Sequence, residues 1–466
     1  MVAMHSHASR YRGLLSAAAV VSVFLMEGLA QTRQGMETLG TYIRPGTRSA
    51  SAGIWGWTSP SGKEFALLTS RDPGGLSFVD ISNPAEPKEI NFIPSGKSIW
   101  HEVHSYKNIA YKISQENSEG LQIIDMAPLD QGNPAVLLKS ATDWFTVAHT
   151  LYVDTTVTPA RLFVAYGRTE GVKIFTLEDP ANPKFIQTIP GGGQSHDMFA
   201  RGNRLYVCNQ FTSTLSAYDI TTLTAPVELY TIDFDALAKT LGEPTRSISH
   251  NAYLSEDGRY LFTTEETIGS TVKAFDITNA SRSNPPKLVG RYVATNTIIA
   301  HNAYIKGHLM FVAHYTAGIR VVDVGNPAQM KEIAFSRPST STAEFGGTWG
   351  AYPWFKSGSI IHGDDVLGLL IERLTAASPV TAAAGRKDLR IVEAYRGGVD
   401  FTLPRAGSYR LNLYSPAGHE LLTLSGEGKA GPQTLSFENG RFRAGKYLIR
   451  IGQDGNLAST PLVLGF

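Results

Sequence analysis

One sequence pattern recurs along this chain and constrains its fold more than any other feature. Each copy starts at Gly or Thr, continues as an alternating apolar segment, often reaches an Asp and is followed by a turn. The copies start at Gly75, Gly120, Gly171, Thr214, Thr271, Gly318 and, in degenerate form, Gly368. Their spacing of about 43 to 57 residues is the range of a four-stranded propeller blade. The pattern therefore predicts an all-β fold with a seven-bladed β-propeller over residues 36–374.

Each copy divides into four short segments with the alternation and the β-branched or aromatic content of strands. In the fifth copy these segments cover residues 250–254, 259–264, 272–277 and 287–292. The one segment with a helical pattern is 234–241, which lies in an insertion between two strands. The chain is therefore expected to be almost entirely β-structure.

The seventh copy lacks its fourth strand, because residue 374 runs directly into an Ala-rich stretch. The segment that begins at Glu37 matches the fourth strand that begins at Lys287. We expect this amino-terminal strand to pair into the last blade. The ring would then close and leave only short, protected sheet edges.

Residues 1–30 have the pattern of a secretory signal peptide. Arg10 and Arg12 precede a mostly apolar run over residues 14–29, and Gly28-Leu29-Ala30 is a small-x-small cleavage site. The run is short for a membrane span, which needs about 20 residues. We expect cleavage near Gln31, no transmembrane span in the mature chain, and a secreted or outer-surface location.

Charge and cysteine content exclude several classes of protein. The formal net charge of +1 provides no basic field for nucleic acid. Cys208 is the only cysteine, so an internal disulfide and Cys-x-x-Cys zinc sites are excluded. The core must therefore supply the stability that disulfides give to many exported proteins.

The carboxy-terminal part has a different pattern. Residues 375–385 are a linker of small residues, and residues 386–466 contain seven short strand-like segments with Gly- and Pro-containing turns. Seven short strands in about 80 residues are typical of a β-sandwich. We therefore predict a small β-sandwich after the propeller.

Two parts of the chain resemble known families. The segments starting at His250, His301 and Phe345 (HNAYLSEDGRYLF, HNAYIKGHLMFVAHYTAGIRVVDV and FGGTWGAYPWFKSGSIIHGD) resemble the secreted LVIVD-repeat proteins called choice-of-anchor B. That resemblance covers residues 36–374. It implies a secreted or surface-attached propeller with a variable anchoring tail, and no assigned reaction.

The tail is similar to the carboxy-terminal sorting domain of type IX secretion substrates, as shown by the segments that start at Leu411 and Gly445. This resemblance implies export machinery as a partner. The chain departs from the pattern at its end, Thr460-PLVLGF, where such tails usually carry a basic residue.

Aligning the copies places one residue type near the start of each first strand. The positions are Trp55, His101, His149, His196, His250, His301 and Trp349. In a propeller the first strand lines the central channel, and its start shares a face with the end of the second strand, where Glu265, His314 and Asp364 lie. We expect Glu102 and Asp197, which directly follow two of the histidines, to point the other way.

Two interpretations of these histidines remain open. Each could bond to backbone or water and hold neighbouring blades in register, since repeat folds reuse one interaction in every unit. Alternatively, His250, His301 and His314 with Glu265 or Asp364 could hold a transition metal, zinc or copper. Glu265 is then the candidate catalytic base. A seam of aromatic residues between blades one and seven (Trp55, Trp57, Trp349, Tyr352 and Trp354) is either packing or a stacking platform.

These patterns favour a secreted or cell-surface binding protein with its ligand site at the channel mouth. The ligand would be a glycan, a small molecule or a cell-surface protein. An extracellular metal-dependent oxidase or hydrolase is the first alternative, and a structural adhesion or surface-layer component is the second. The chain has no Gly-x-Ser-x-Gly elbow, phosphate loop or HExxH motif.

Overall fold

The structure is a computed structural model. It describes residues 33–464, except 48, 166–170, 191–194, 296, 340, 376–388, 396–397, 404, 416–419, 437–444 and 454–455. The predicted signal peptide and, apart from Thr375, the predicted linker lie outside the described residues. The chain divides into two compact units, Met1–Ala377 and Ser378–Phe466.

The described part of the first unit contains 29 strands. In chain order they are β1 (Arg33–Gln34), β2 (Met36–Tyr42), β3 (Ser49–Thr58), β4 (Glu64–Asp72), β5 (Gly74–Asp80), β6 (Lys88–Pro94), β7 (His101–Tyr106), β8 (Ile109–Ser114), β9 (Leu121–Asp125), β10 (Val136–Ala141), β11 (Thr150–Asp154), β12 (Arg161–Ala165), β13 (Val172–Thr176), β14 (Lys184–Ile189), β15 (Ser195–Arg201), β16 (Arg204–Asn209), β17 (Thr214–Asp219), β18 (Val227–Asp233), β19 (Ser249–Leu254), β20 (Tyr260–Glu265), β21 (Val272–Asp276), β22 (Lys287–Tyr292), β23 (Asn302–Lys306), β24 (Leu309–Ala313), β25 (Ile319–Asp323), β26 (Lys331–Ser336), β27 (Thr348–Tyr352), β28 (Ile360–Asp364) and β29 (Gly368–Leu374).

These strands form antiparallel sheets of four or five strands. Five sheets use consecutive strands, namely β3–β6, β7–β10, β11–β14, β15–β18 and β19–β22; a sixth contains β23–β26 with β1, and a seventh contains β27–β29 with β2. The first strand of each sheet packs beside the first strand of the next, and β27 packs beside β3. The all-β prediction is confirmed, and these sheets are consistent with a propeller.

The middle strands of the sheets are buried on both faces, which explains why apolar residues occur at both side-chain directions. Phe163 in β12 and Phe175 in β13 have no exposed surface, although they lie in different core clusters. Each sheet face packs against a neighbouring sheet, so both side-chain directions of a strand leave water. The apolar runs of the repeat therefore fill the spaces between sheets.

Glycines in two outermost strands allow the turn of the next sheet to approach. A Cβ atom on Gly40 in β2 would lie 1.9 Å from the carbonyl oxygen of Pro84, and one on Gly290 in β22 would lie 1.8 Å from that of Pro327. Both prolines belong to the turns of the repeat. The segments that start at Glu37 and Lys287 match because each packs a glycine against the proline-containing turn of the next sheet.

The predicted pairing of the amino-terminal strand is observed. β2 pairs antiparallel with β29, with Met36 opposite Leu374 and Tyr42 opposite Leu369. β1 adds a fifth strand to the sixth sheet through β26, which the sequence analysis did not predict.

A buried polar network supports this closing strand. The Glu372 carboxylate accepts hydrogen bonds from Thr38 Oγ1 at 2.9 Å and Ser336 Oγ at 2.6 Å, and it lies 3.1 Å from His362 Nε2. Burial favours a higher pKa for Glu372, but His362 and the two hydroxyls outweigh it, so the pKa lies below its ordinary value. The carboxylate is therefore ionised at neutral pH.

The predicted helix is also observed, as α1 (Phe234–Leu241). Asp233 caps it by accepting from Ala236 N at 2.9 Å, and Gly242 ends it in the left-handed conformation with φ 68°. No helix in the described part of the chain is long and apolar enough to cross a membrane.

The second unit contains two antiparallel sheets in its described residues. Their strands are β30 (Arg390–Tyr395), β31 (Gly398–Leu403), β32 (Gly407–Tyr414), β33 (Glu420–Gly428), β34 (Gly431–Ser436), β35 (Gly445–Gln453) and β36 (Asn456–Leu464), in the orders β30-β31-β34 and β33-β32-β35-β36. Val399 and Phe401 from one sheet and Leu411 and Ile449 from the other share one buried cluster.

Replacing Glu372 by Gln should weaken the closing contact. Gln keeps the shape but loses the charge that His362 and the hydroxyls stabilise, so we expect about 3 kcal/mol less free energy of unfolding. Thr38→Val, which removes one neutral donor, should cost about 1 kcal/mol. Denaturant unfolding followed by tryptophan fluorescence reports on the first unit, which contains all the tryptophans. Equal losses in the two variants would contradict the proposed role of the charge.

Candidate functional site

Five histidines lie at, or one residue from, the start of the first strands of five successive sheets, and we call them the histidine layer: His101, His149, His196, His250 and His301. The ring centroids of neighbouring members from His149 to His301 lie 4.0, 4.6 and 4.3 Å apart. All five line one cavity of about 40 Å3, together with Glu102, Asp197, Glu266 and Trp349. The cavity has room for about three water molecules.

β-Bulges direct two of these side chains. In β15 the pairing passes from Ser195–Asn209 to Asp197–Cys208, which leaves His196 as the extra residue. His250 in β19 is an extra residue in the same way, because the pairing passes from Ser249–Glu265 to Asn251–Thr264. A bulge re-aims a side chain and breaks the strict alternation of a strand. Asp197 lines the same cavity as His196, whereas strand alternation predicted that it points away.

Carbonyl oxygens fix the tautomers of two members. His301 Nδ1 lies 2.5 Å from the backbone oxygen of Trp349, and His149 Nδ1 is hydrogen-bonded to Gln115 Oε1. A carbonyl oxygen can only accept, so Nδ1 carries the proton and Nε2 keeps a lone pair. His149 Nε2 lies 3.1 Å from His196 Nε2. Metal-ligating histidines commonly have this second hydrogen bond.

Glu266, which the sequence analysis did not select, is the carboxylate at this cluster. Its oxygens lie 3.7 Å from His250 Nε2 and 3.8 Å from His301 Nε2, and it accepts a hydrogen bond from Tyr315 Oη. The donor atoms of His196, His250 and Glu266 all lie within 4.8 Å of one another. The residue lies just beyond the end of β20, where strand alternation gives no signal.

The other predicted metal ligands lie outside this cavity. The Glu265 carboxylate is paired with Lys273 and accepts from Ser247 Oγ at 2.6 Å. Asp364 accepts from the backbone nitrogens of Val366 and Leu367, both at 2.9 Å, and so caps a turn. His314 is buried, but it does not line the cavity. The structure thus groups His250 with His301 and separates both from Glu265, His314 and Asp364.

Burial keeps the imidazoles of His101, His149, His196 and His301 neutral. It lowers the pKa of His101 and of His149 to about 3, and it lowers those of His196 and His301 well below the ordinary value. Neighbouring positive charges and imidazoles act in the same direction. Neutral imidazole is the form that binds metal ions.

Trp55 belongs to a second layer, three residues further along the first strands. We call this the aromatic layer: Trp55, His104, Tyr152, Phe199, Tyr253, Tyr304 and Tyr352. Trp55 stacks on His104 with ring centroids 3.6 Å apart and contacts Tyr352 at 5.2 Å. The signal was present in the sequence as the repeated spacing His149–Tyr152, His250–Tyr253, His301–Tyr304 and Trp349–Tyr352.

The predicted aromatic seam is divided between these layers. Trp354 contacts Trp55 and Tyr352 at 5.5 and 5.1 Å, on the side of the aromatic layer. Trp349 lies in the histidine cavity, with the Arg71 guanidinium 4.4 Å from its ring centroid. Trp57 is 4% exposed and donates to Lys107 O at 2.8 Å, so it belongs to the core.

A second cavity of about 40 Å3 borders the aromatic layer. Glu102, Asp197 and Asn302 line both cavities, which places them at the boundary between the two layers. Burial raises the pKa of Glu102 to about 8 and also raises the pKa of Asp197. β7 is the first strand of its sheet. Its pairing with β8 contains no bulge, and Glu102 nevertheless lines both cavities.

Comparison with known families supports the repeat. Residues 72–92 and 299–335 match the LVIVD repeat, so the chain contains LVIVD repeats. No curated protein matches the chain.

Solved structures resemble the chain only distantly. Candidate 6-phosphogluconolactonases from Bacteroides fragilis and Bacteroides uniformis are 13% and 15% identical, cover 66% and 65% of this chain and 96% of their own, and give TM-scores of 0.46 and 0.48. The β-propeller domain of Cps50 (Swd1) from Myceliophteria thermophila is 11% identical, covers 73% of this chain and 100% of its own, and gives a TM-score of 0.49. These similarities assign no activity to this chain.

The buried imidazoles should make the protein acid-sensitive. Burial lowers the pKa of His104 to about 3 from the model-peptide value of 6.5. Between these values the unfolded chain binds the proton and the folded chain does not, so stability falls as the pH drops below about 6.5. His104→Phe keeps the stacking and cannot protonate. Between pH 7 and pH 4, the free energy of unfolding of the parent should fall by up to about 3 kcal/mol more than that of His104→Phe. Denaturant midpoints at both pH values measure this.

The control for this experiment is His308→Gln, at a half-buried histidine outside both cavities. It should follow the parent protein at both pH values. An equal decrease in unfolding free energy on acidification in His104→Phe and in the parent would contradict a neutral, buried His104.

Proposed function

We propose that this chain is a secreted β-propeller binding protein that holds one transition-metal ion, zinc or copper, in the histidine cavity. The observation that carries the proposal is the convergence of His196, His250 and Glu266, whose donor atoms lie within 4.8 Å of one another. His149 and His301 flank this group with the lone pair on Nε2; His301 Nε2 lies beside Glu266, and His149 Nε2 would exchange its contact with His196 Nε2 for the ion.

The distances suit a four-coordinate ion after small side-chain shifts. Ligand atoms about 2.1 Å from a tetrahedral metal are about 3.4 Å apart. The observed separations are 3.1 Å between His149 and His196, and 3.7 Å between His250 and Glu266. The donor atoms of His196, His250 and Glu266 lie within 4.8 Å of one another, so side-chain shifts of about an ångström would bring them to one ion. Imidazole with one carboxylate is a donor set that suits zinc and copper.

The size of the cavity favours an ion over a sugar. A volume of about 40 Å3 holds about three waters, enough for a metal ion with one or two of its own waters. A glycan ring is several times larger. The same cavity holds Trp349, but Arg71 packs over that ring, so the ring face is not open for stacking.

We infer further that the sheets of residues 36–374 are seven blades of one closed propeller and that residues 386–466 form a β-sandwich that serves in export or anchoring. The contact between β27 and β3 supports the first inference. The core shared by the two carboxy-terminal sheets supports the second. A secreted or outer-surface location rests on the signal-like pattern of residues 1–30.

Metal content of the purified protein tests the proposal. Elemental mass spectrometry should find about one zinc or copper per chain after reconstitution and dialysis. His196→Ala/His250→Ala should lose it, and Glu266→Gln should weaken retention, because each removes a ligand. His308→Gln is the matched control for adventitious binding by a surface histidine and should retain the metal. A folded parent that holds neither metal, or a double variant that holds as much as the parent, would overturn the proposal.

Processing can be tested separately. When the full chain is expressed in a secreting host, we expect the mature amino terminus at or near Gln31, because the small-x-small site ends at Ala30. Amino-terminal sequencing of the protein from the medium or the cell surface measures this. A replacement of Ala30 by a bulky residue should leave the leader attached. Intact residues 1–30 on the exported parent would contradict cleavage.

A further inference from the structure

The second cavity combines aromatic walls with hydrogen-bond acceptors. Trp55, Tyr152, Phe199, Tyr253 and Tyr304 from the aromatic layer provide its rings. Aromatic faces are electron-rich and attract cations that have lost their water. No lysine or arginine lines this cavity among the residues that the structure describes.

Three acceptors lie at one end of the cavity. Asn302 Oδ1 is buried without a hydrogen-bond partner. Glu102 Oε1 accepts from Val103 N at 3.1 Å, and Asp197 accepts from Met198 N at 2.7 Å and from Asn251 Nδ2 at 2.9 Å. Buried carboxylates without a cation are costly.

His104 provides an independent indication of a ligand. The residue is 7% exposed, its ring lines the second cavity, and its Nδ1 is buried without a hydrogen-bond partner. Buried polar atoms in proteins almost always have partners, so an orphaned one beside a cavity indicates a missing ligand or water.

We propose that the second cavity binds a small primary alkylammonium ion. Its three N–H groups donate to Glu102, Asp197 and Asn302 Oδ1, and its alkyl group packs against the aromatic rings. The number of donors on a primary ammonium equals the number of acceptor residues. With a volume of about 40 Å3, the cavity suits methylammonium or ethylammonium. This site goes beyond the proposed metal site, since none of the proposed metal ligands lines it.

Two other cations fit less well. Calcium takes six to eight oxygen ligands, whereas three residues provide acceptors here, and the other walls are aromatic. A quaternary ammonium fits an aromatic cage, but it has no N–H group, so it would leave Asn302 Oδ1 without a donor and add none to the carboxyls.

The test is calorimetric binding of ethylammonium chloride to the full-length protein after metal removal with EDTA, so that the metal site cannot contribute. Tryptophan fluorescence, to which Trp55 in the cavity wall contributes, gives a second readout. Ethanol, tetramethylammonium and calcium chloride are the comparison ligands. Asp197→Asn and Glu102→Gln preserve shape and remove charge, and Asp143→Asn removes an exposed charge elsewhere. Circular dichroism and the melting temperature check that every variant folds.

We expect saturable one-to-one binding of ethylammonium, no binding of ethanol, and at least tenfold weaker binding in both cavity variants with no change in Asp143→Asn. Tetramethylammonium should bind at least tenfold more weakly than ethylammonium. Calcium binding in place of ethylammonium, equal binding of tetramethylammonium, or no ethylammonium binding to the folded parent would each overturn the proposal. Because the protein is metal-free, these outcomes are independent of the metal-content result.

Discussion

The first unit depends on the pairing of β2 with β29. Thr38 and Glu372, which meet in this pair, are 334 residues apart in the chain. Closing a loop of that length costs at least about 5 kcal/mol of chain entropy, which the strand pair and the buried Glu372 network must offset. Once β2 is in place, Gly40 brings the seventh sheet against the Pro84 turn of the first. The first strands of the sheets then surround one confined space, and every polar group there needs a partner.

The hydrogen bonds in this space bear on the two roles considered for the histidines. A role in blade register requires each ring to bond to a neighbouring sheet, as His301 does through the Trp349 carbonyl and His149 does through Gln115 and His196. Both ring nitrogens of His101 and the Nδ1 atom of His250 are buried without partners. Further bonds between neighbouring sheets come from threonines: Thr150 Oγ1 donates to His196 O at 2.5 Å, and Thr264 Oγ1 donates to His301 O at 2.6 Å. The partnerless nitrogens of His101 and His250 therefore support the proposed ligand site rather than a role in register for those two rings.

The sequence was sufficient for the repeat, the strands and the closing strand, because each depends on local alternation and on turn residues. It also indicated that His250 and His301 lie together. It could not indicate that Glu266 rather than Glu265 joins them. That choice depends on the ion pair between Glu265 and Lys273, which lies on the neighbouring strand. It also could not place Asp197, because a bulge changes the direction of a side chain without changing the amino-acid pattern. The aromatic layer, in contrast, was visible as a three-residue spacing after the histidines.

Charge balance connects the two proposed ligands. Three carboxyls line the two cavities, Glu102, Asp197 and Glu266, and no lysine or arginine appears among the lining residues that the structure describes. A low-dielectric interior tolerates charge only when it is nearly compensated. In the two proposed sites, a divalent metal ion and one ammonium ion would together bring three positive charges to these carboxyls, in addition to the Arg71 guanidinium over Trp349. Without ligands a proton must replace part of that charge, which agrees with the pKa of about 8 that burial gives Glu102. The two cations would repel each other. The carboxyls of Glu102 and Asp197 lie at the boundary between the two cavities, where their negative charge would reduce that repulsion.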